Sequence, residues 1–183
     1  MTERQEFQVM RKFNGFEVRE YAPCVLAEIQ VEGSLSRASN QAFGALFNYI
    51  SKGNIDSQKI AMTAPVTAAS SGGASSSSWV VSFVMPANLD ISNLPLPKDS
   101  TVRLRSVPTE WCAVLSFRGR ADLEKWRNKE HVLRKLAAEN GIKLLDDIRI
   151  NRFDPPFKPG AFHYNEVAIP VDLSESHQSL KLL

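Results

Sequence analysis

Two stretches of this chain carry the same order of signals at a nearly constant offset. Gly33 and Gly119 lie 86 residues apart, and each closes an apolar strand signal just before a helical one. The strand signals that begin at Trp79 and Glu166 lie 87 residues apart, and the connections before them, 67–78 and 154–165, are equal in length. Identity between the halves is low, so the repeat is one of pattern. It reads as a duplicated strand-strand-helix-strand-strand unit. Neither half has a second apolar layer of its own. The expected fold is therefore α+β, with a curved antiparallel sheet or distorted barrel flanked by two helices.

The individual elements are legible from their periodicities. Phe16-Glu-Val-Arg-Glu-Tyr21 alternates apolar and charged residues, and Ala22-Pro23 separates it from a second extended run, Cys24 to Val31. Ser34 or Ser36 is placed to cap a helix that runs to about Ile50 and stops near Lys52-Gly53-Asn54. Strands are expected at Lys59 to Val66 and from Trp79 to Met85, joined by a Ser/Gly-rich tract over 67–78 that reads as a mobile hairpin loop with nothing to bury. Beyond Leu94-Pro-Leu-Pro97 the pattern restarts. It gives strands at Val102 to Val107 and Trp111 to Phe117, a helix from about Asp122 to Asn140, and strands at Asp147 to Phe153 and Glu166 to Val171. All 183 residues are read as one domain with a short tail from about 174.

Composition closes off several function classes. Lys and Arg number 22 against 20 Asp and Glu, a net charge of +2, which argues against a nucleic-acid binder with a basic stripe. No run approaches a membrane span, and no apolar run precedes a cleavage site. A cytoplasmic protein with reduced thiols, neither membrane- nor nucleic-acid-bound, is the expectation. Cys24 and Cys112 stand in no paired motif, and His131, His163 and His177 show no metal-ligand spacing, so no metal site is read. The sequence holds no GxSxG, HExxH, P-loop or GxGxxG, and no catalytic residues are assigned. His131 falls on the charged face of the second helix, Asp146-Asp147 at a turn, and Met62 in register with Ile60 and Ala64 as core.

The first helix leaves a residue of unexplained chemistry. At 100° per residue Leu35, Ala38, Ala42, Ala45, Leu46, Tyr49 and Ile50 fall within an arc of about 140°, enough to dock the helix. Phe43 lies at the edge of that arc and Phe47 beyond it, an i,i+4 aromatic pair outside the docking stripe. Either a neighbouring segment covers them or they form an exposed apolar patch. The loop Asp154-Pro-Pro-Phe-Lys-Pro-Gly160 is one candidate cover and brings Phe157 and Lys158. An apolar wall with a cation at its rim suits a flat, amphiphilic, anionic ligand.

Lys59-Ile-Ala-Met-Thr-Ala-Pro-Val66 resembles the signature of the SOUL/heme-binding protein family, and Phe16-Glu-Val-Arg-Glu-Tyr-Ala-Pro23 resembles its opening motif, with Phe16 in place of a tyrosine. Phe83-Val-Met-Pro86, Leu94-Pro-Leu-Pro97, Phe153-Asp-Pro-Pro156 and Asn165-Glu-Val167 follow in the family's order, so the resemblance runs from about Glu6 to Val171. It implies a fold of two pseudo-repeats like the GyrI-type effector-binding domains, and noncovalent binding of heme or another tetrapyrrole without a catalytic reaction. By the same resemblance the heme-binding residues are Phe43, Phe47, Phe157 and Lys158. A second lysine of that helix is replaced by Asn48, the histidine proposed as axial ligand by Glu20, and the Arg-Arg before Asn-Glu-Val by His163-Tyr164. A carboxylate is a poor substitute for imidazole toward heme iron.

Three further readings remain open at this stage. One is an effector-binding domain for another small apolar or cationic molecule, with Glu166 as the acidic pocket residue or simply a buried, hydrogen-bonded carboxylate. A hydrolase of the wider fold and a protein-docking surface at Phe43 and Phe47 are the others.

Overall fold

Helix α1 (Leu35–Ser51) starts where Ser34 turns extended and its hydroxyl accepts from the Arg37 N–H; α2 (Leu123–Glu139) starts in the same way at Asp122, which accepts from Lys125 N. Directly after the strand that leads to each helix, Gly33 and Gly119 hold φ at +123° and +99°. Side chains with a Cβ avoid that region, so the repeated glycines are required by the sharp turn from strand to helix. The buried residues of α1 are Leu35, Ala38, Ala42, Leu46, Tyr49 and Ile50, the stripe expected from the helical period.

The computed structural model describes residues 2–155 and 157–174; His177 and most of the expected tail lie outside them. Its strands are β1 (Glu3–Arg4), β2 (Phe7–Phe13), β3 (Phe16–Tyr21), β4 (Cys24–Glu32), β5 (Thr63–Ala64), β6 (Val66–Ser70), β7 (Ser78–Val84), β8 (Arg103–Val107), β9 (Glu110–Arg118), β10 (Ile148–Arg152) and β11 (Tyr164–Pro170). Nine of them form a curled sheet in the order β2-β3-β9-β11-β10-β6-β7-β4-β8, and every pairing in it is antiparallel. The remaining two, β1 and β5, pair parallel in a small separate ribbon.

That order contains the duplication. Exchanging β3, β4, β6 and β7 with β8, β9, β10 and β11 turns the eight strands from β3 to β8 into their own reverse. The two-fold axis runs between β6 and β10. The first strand of each repeat leaves its own unit: β3 pairs with β9 of the second half and β8 with β4 of the first. Strand β2 has no counterpart in this symmetry.

Both helices pack on one face of the sheet. Val18, Ile29, Val31, Val81, Ile148, Ile150, Val167 and Ile169 meet Leu46, Tyr49, Trp126 and Leu133 in one buried cluster. At roughly 25 cal/mol per Å² this layer supplies the main driving force of the fold.

The region 59–78 differs from its sequence expectation. Residues 59–62 form no strand, and the ladder resumes after the cis Ala64-Pro65 bond, with β6 running into the tract expected to be loop. The tract does have something to bury: Ala68 lies in the core and Ala74 is buried, with its N–H donating to the α2 carboxylate of Glu130 at 2.8 Å. Small side chains allow this close approach, and hydropathy averaged over a serine-rich window hides them.

Candidate functional site

Phe43 and Phe47 stack on the outer side of α1 with ring centroids 5.9 Å apart and planes at 10°. They are 38% and 48% exposed, whereas Leu46 between them is fully buried. Phe43 also sets its edge against Phe83 of β7 at 5.4 Å, which fixes the inner ring of the pair. Beside Phe43 a groove of about 410 Å³ opens between α1, the start of α2 and the ends of β6, β10 and β11.

The groove is rich in donors. Strand alternation turns Ile148, Ile150 and Arg152 of β10 toward the helices, so Arg152 enters the apolar layer at its rim. Its guanidinium donates to the Ser39 hydroxyl at 3.1 Å and lies 5.9 Å from the Trp126 ring. Burial pushes the Arg152 pKa down from its ordinary value, yet an arginine stays charged at neutral pH. Arg120 and the Trp126 side chain line the same groove; the Trp126 indole N–H is buried without an acceptor among the described residues. Two arginines beside an apolar wall form a setting for an anionic group on a flat apolar body.

The four residues expected from the sequence are not all brought together. Phe43 lines the groove and Phe47 continues its wall one turn along α1. Phe157 is 88% exposed on the Pro-rich loop, and no ring contact joins it to the pair. Lys158 is tied to Asp154 at 2.6 Å, with the other Asp154 oxygen accepting from Tyr164 N. Burial acts in the opposite direction, but these bonds hold the Asp154 carboxyl below its ordinary value, so it is the carboxylate that Lys158 neutralises beside the groove. Of the histidines among the described residues, only His163 lines this groove, and its Nε2 bonds the Lys158 carbonyl at 2.8 Å. Glu20 sits elsewhere, accepting from Trp111 Nε1 at 2.6 Å beside Glu6 and Gln8. Arg120, Arg152 and Trp126 were missed by sequence reasoning. One signal for Arg152 was present, a charge in the inward register of an otherwise apolar strand.

The other face of the sheet carries a second polar cluster. Glu166 is 1% exposed, and its Oε1 accepts from Arg19 at 2.8 Å and the Tyr164 hydroxyl at 2.7 Å. Arg19 also pairs with Glu17 and donates to the Tyr21 hydroxyl. The second oxygen of Glu166 and the Asn151 side-chain amide oxygen are both buried without a partner among the described residues. Both residues line one small cavity of about 50 Å³, walled by the rings of Phe7, Tyr21, Phe153 and Tyr164.

The fold is a curled antiparallel sheet bearing two helices, of GyrI-like type. The profile of the SOUL heme-binding protein matches residues 2–170. The chain belongs to the SOUL heme-binding protein family. No curated protein matches it. Among solved structures it is similar to the EcmrR C-terminal domain at 15% identity and a TM-score of 0.67, covering 91% of this chain and 98% of that one. It also resembles a hydrolase encoded by lin2189 from Listeria innocua, at 10% identity and a TM-score of 0.58, over 86% of this chain and 91% of that one. SAV2435 bound to tetraphenylphosphonium aligns at 10% identity and a TM-score of 0.51, over 88% and 96%. Likenesses at such identities establish the fold alone.

Proposed function

We propose that the protein binds heme or another tetrapyrrole noncovalently and without catalysis, one face of the macrocycle on Phe43 and Phe47 and an acidic substituent in the groove beside them. The observation that carries this reading is the juxtaposition of an exposed, stacked ring pair with the groove lined by Arg120 and Arg152. Family membership supports the ligand class. The donor set fits the periphery of the macrocycle better than its iron, because Glu20 is engaged by Trp111 and lies in a separate depression. Apolar burial then supplies the affinity, less the cost of association. Lys158 reaches the groove only through its partner Asp154 and serves a ligand only by exchanging Asp154 for it. Titration with hemin and with iron-free protoporphyrin, followed in the Soret region, tests the reading. Similar micromolar affinity for both supports it; no saturable change with either rejects it.

A second reading is favoured by the two orphaned acceptors on the opposite face. A buried carboxylate oxygen and an amide oxygen in an aromatic cavity suit a small organic cation. On this reading the protein is an effector-binding domain whose acidic residue is Glu166. Titration with benzylammonium, with Glu166→Gln as the control, tests it: saturable binding that the variant loses supports the reading, and no binding rejects it.

A further inference from the structure

The cavity around Glu166 is closed by the chain's own cation. Arg4 lines it together with Glu166 and Asn151, and its guanidinium carbon lies 5.1 Å from the Phe153 centroid and 5.9 Å from that of Tyr164. Arg19 covers the Phe7 ring at 4.0 Å and is committed to Glu17, Tyr21 and Glu166, so it belongs to the wall. Arg4 is different in kind. It is exposed overall and reaches the rings from the two-residue strand β1.

That strand is lightly held. It pairs with β5 over only Glu3↔Thr63 and Arg4↔Ala64, with Gln5 N donating to the Ala64 carbonyl at 3.0 Å and Glu3 accepting from Ala87 N at 2.7 Å. Two residues of parallel pairing outside the main sheet open at small cost compared with a central strand. Strand β2 lies beyond Gln5 and Glu6 in the nine-stranded sheet, so β1 can leave without disturbing it.

We propose that β1 is a displaceable strap and that Arg4 is the resident occupant of a cation site formed by Phe153, Tyr164, Glu166 and Asn151. The inference rests on the second reading above and adds to it both the gate and the ligand class. The ligand is an organic monocation with N–H donors, a guanidinium or a primary ammonium on a small apolar body. Its donors satisfy the free Glu166 and Asn151 oxygens, and its charge replaces that of Arg4 over the two rings. An external cation must compete with an internal one, so its apparent affinity falls by the fraction of molecules with the strap open.

The test is calorimetric titration of the full chain with benzylguanidinium. Arg4→Ala is expected to bind it roughly tenfold more tightly than wild type, and Arg4→Lys about as weakly as wild type. Glu166→Gln in the Arg4→Ala background is expected to abolish binding. Because that change also strips Arg19 of a partner, Phe153→Leu in the same background, with circular dichroism confirming the fold, serves as the second variant and weakens binding several-fold. Equal affinity for wild type and Arg4→Ala overturns the strap while leaving the cation site. No binding to any variant overturns the site as well. Tight binding that survives both Glu166→Gln and Phe153→Leu places the cation elsewhere and also refutes the proposal.

Discussion

Replacing Phe47 by alanine separates a binding surface from a structural one. The ring is 48% exposed, so about half of it, roughly 100 Å², is covered. At roughly 25 cal/mol per Å² that area sets an upper limit of about 2.5 kcal/mol. Its stacking partner, however, is Phe43 one turn earlier in the same helix. Pairs at i,i+4 contribute only about 0.2–0.5 kcal/mol. The expected loss is therefore about 1 kcal/mol or less, a fall in Tm of roughly 2–4 °C for a chain of this size. Leu46→Ala is the internal standard. That side chain is fully buried in the helix–sheet layer, and its truncation is expected to cost about 2–5 kcal/mol. Thermal unfolding by circular dichroism measures both, and hemin titration of the folded variants measures binding. Phe47→Ala is expected to melt near wild type and bind hemin about tenfold more weakly. A Phe47→Ala protein as unstable as Leu46→Ala, or one with unchanged hemin affinity, refutes the assignment of Phe47 to a ligand surface.

Lys158→Ala removes the cation that neutralises Asp154 and leaves a bare carboxylate in the groove; porphyrin affinity is expected to fall, and the loss to shrink at high salt as the repulsion is screened. Glu20→His places an imidazole at the position of the proposed axial ligand, but Glu20 shares no lining residue with the groove. The visible spectrum of added hemin is therefore expected to stay as in wild type, and new imidazole-type bands in the folded variant would move the macrocycle to that side. Burial pushes the Cys112 thiol from 9.0 to about 12 and the Tyr21 hydroxyl from 10.0 to about 12. In the unfolded chain both ionise at their ordinary values, so stability is full below about pH 9 and is lost as pH rises toward 12. Urea unfolding at stepped alkaline pH is expected to show this loss, with a shallower slope in Cys112→Ala; a flat profile contradicts the burial argument.

The sequence by itself determined what short-range periodicity can carry. Strand alternation, the Ser34 and Asp122 caps, and the glycines at 33 and 119 define two similar units, and the 100° period of α1 separates Leu46 from Phe43 and Phe47. These are local properties, set within a turn or two of each residue. Family motifs added membership of the SOUL heme-binding protein family. Only the tertiary structure decided that the first strand of each unit pairs within the other, because offsets along a chain do not specify partners across a sheet. It alone turned the serine-rich tract into a strand and a docked turn, since close packing rewards the small side chains that hydropathy discounts. It also decided which charges face which cavity. Lys158 is an obvious cation in the sequence, yet Asp154 holds it, while Arg152 and Arg120 reach the groove through strand register and helix placement. Arg4, Glu166 and Asn151 converge from β1, β11 and β10, 162 residues apart at the extremes. A shared cavity among such distant positions depends on how the whole sheet curls, and no local pattern encodes it.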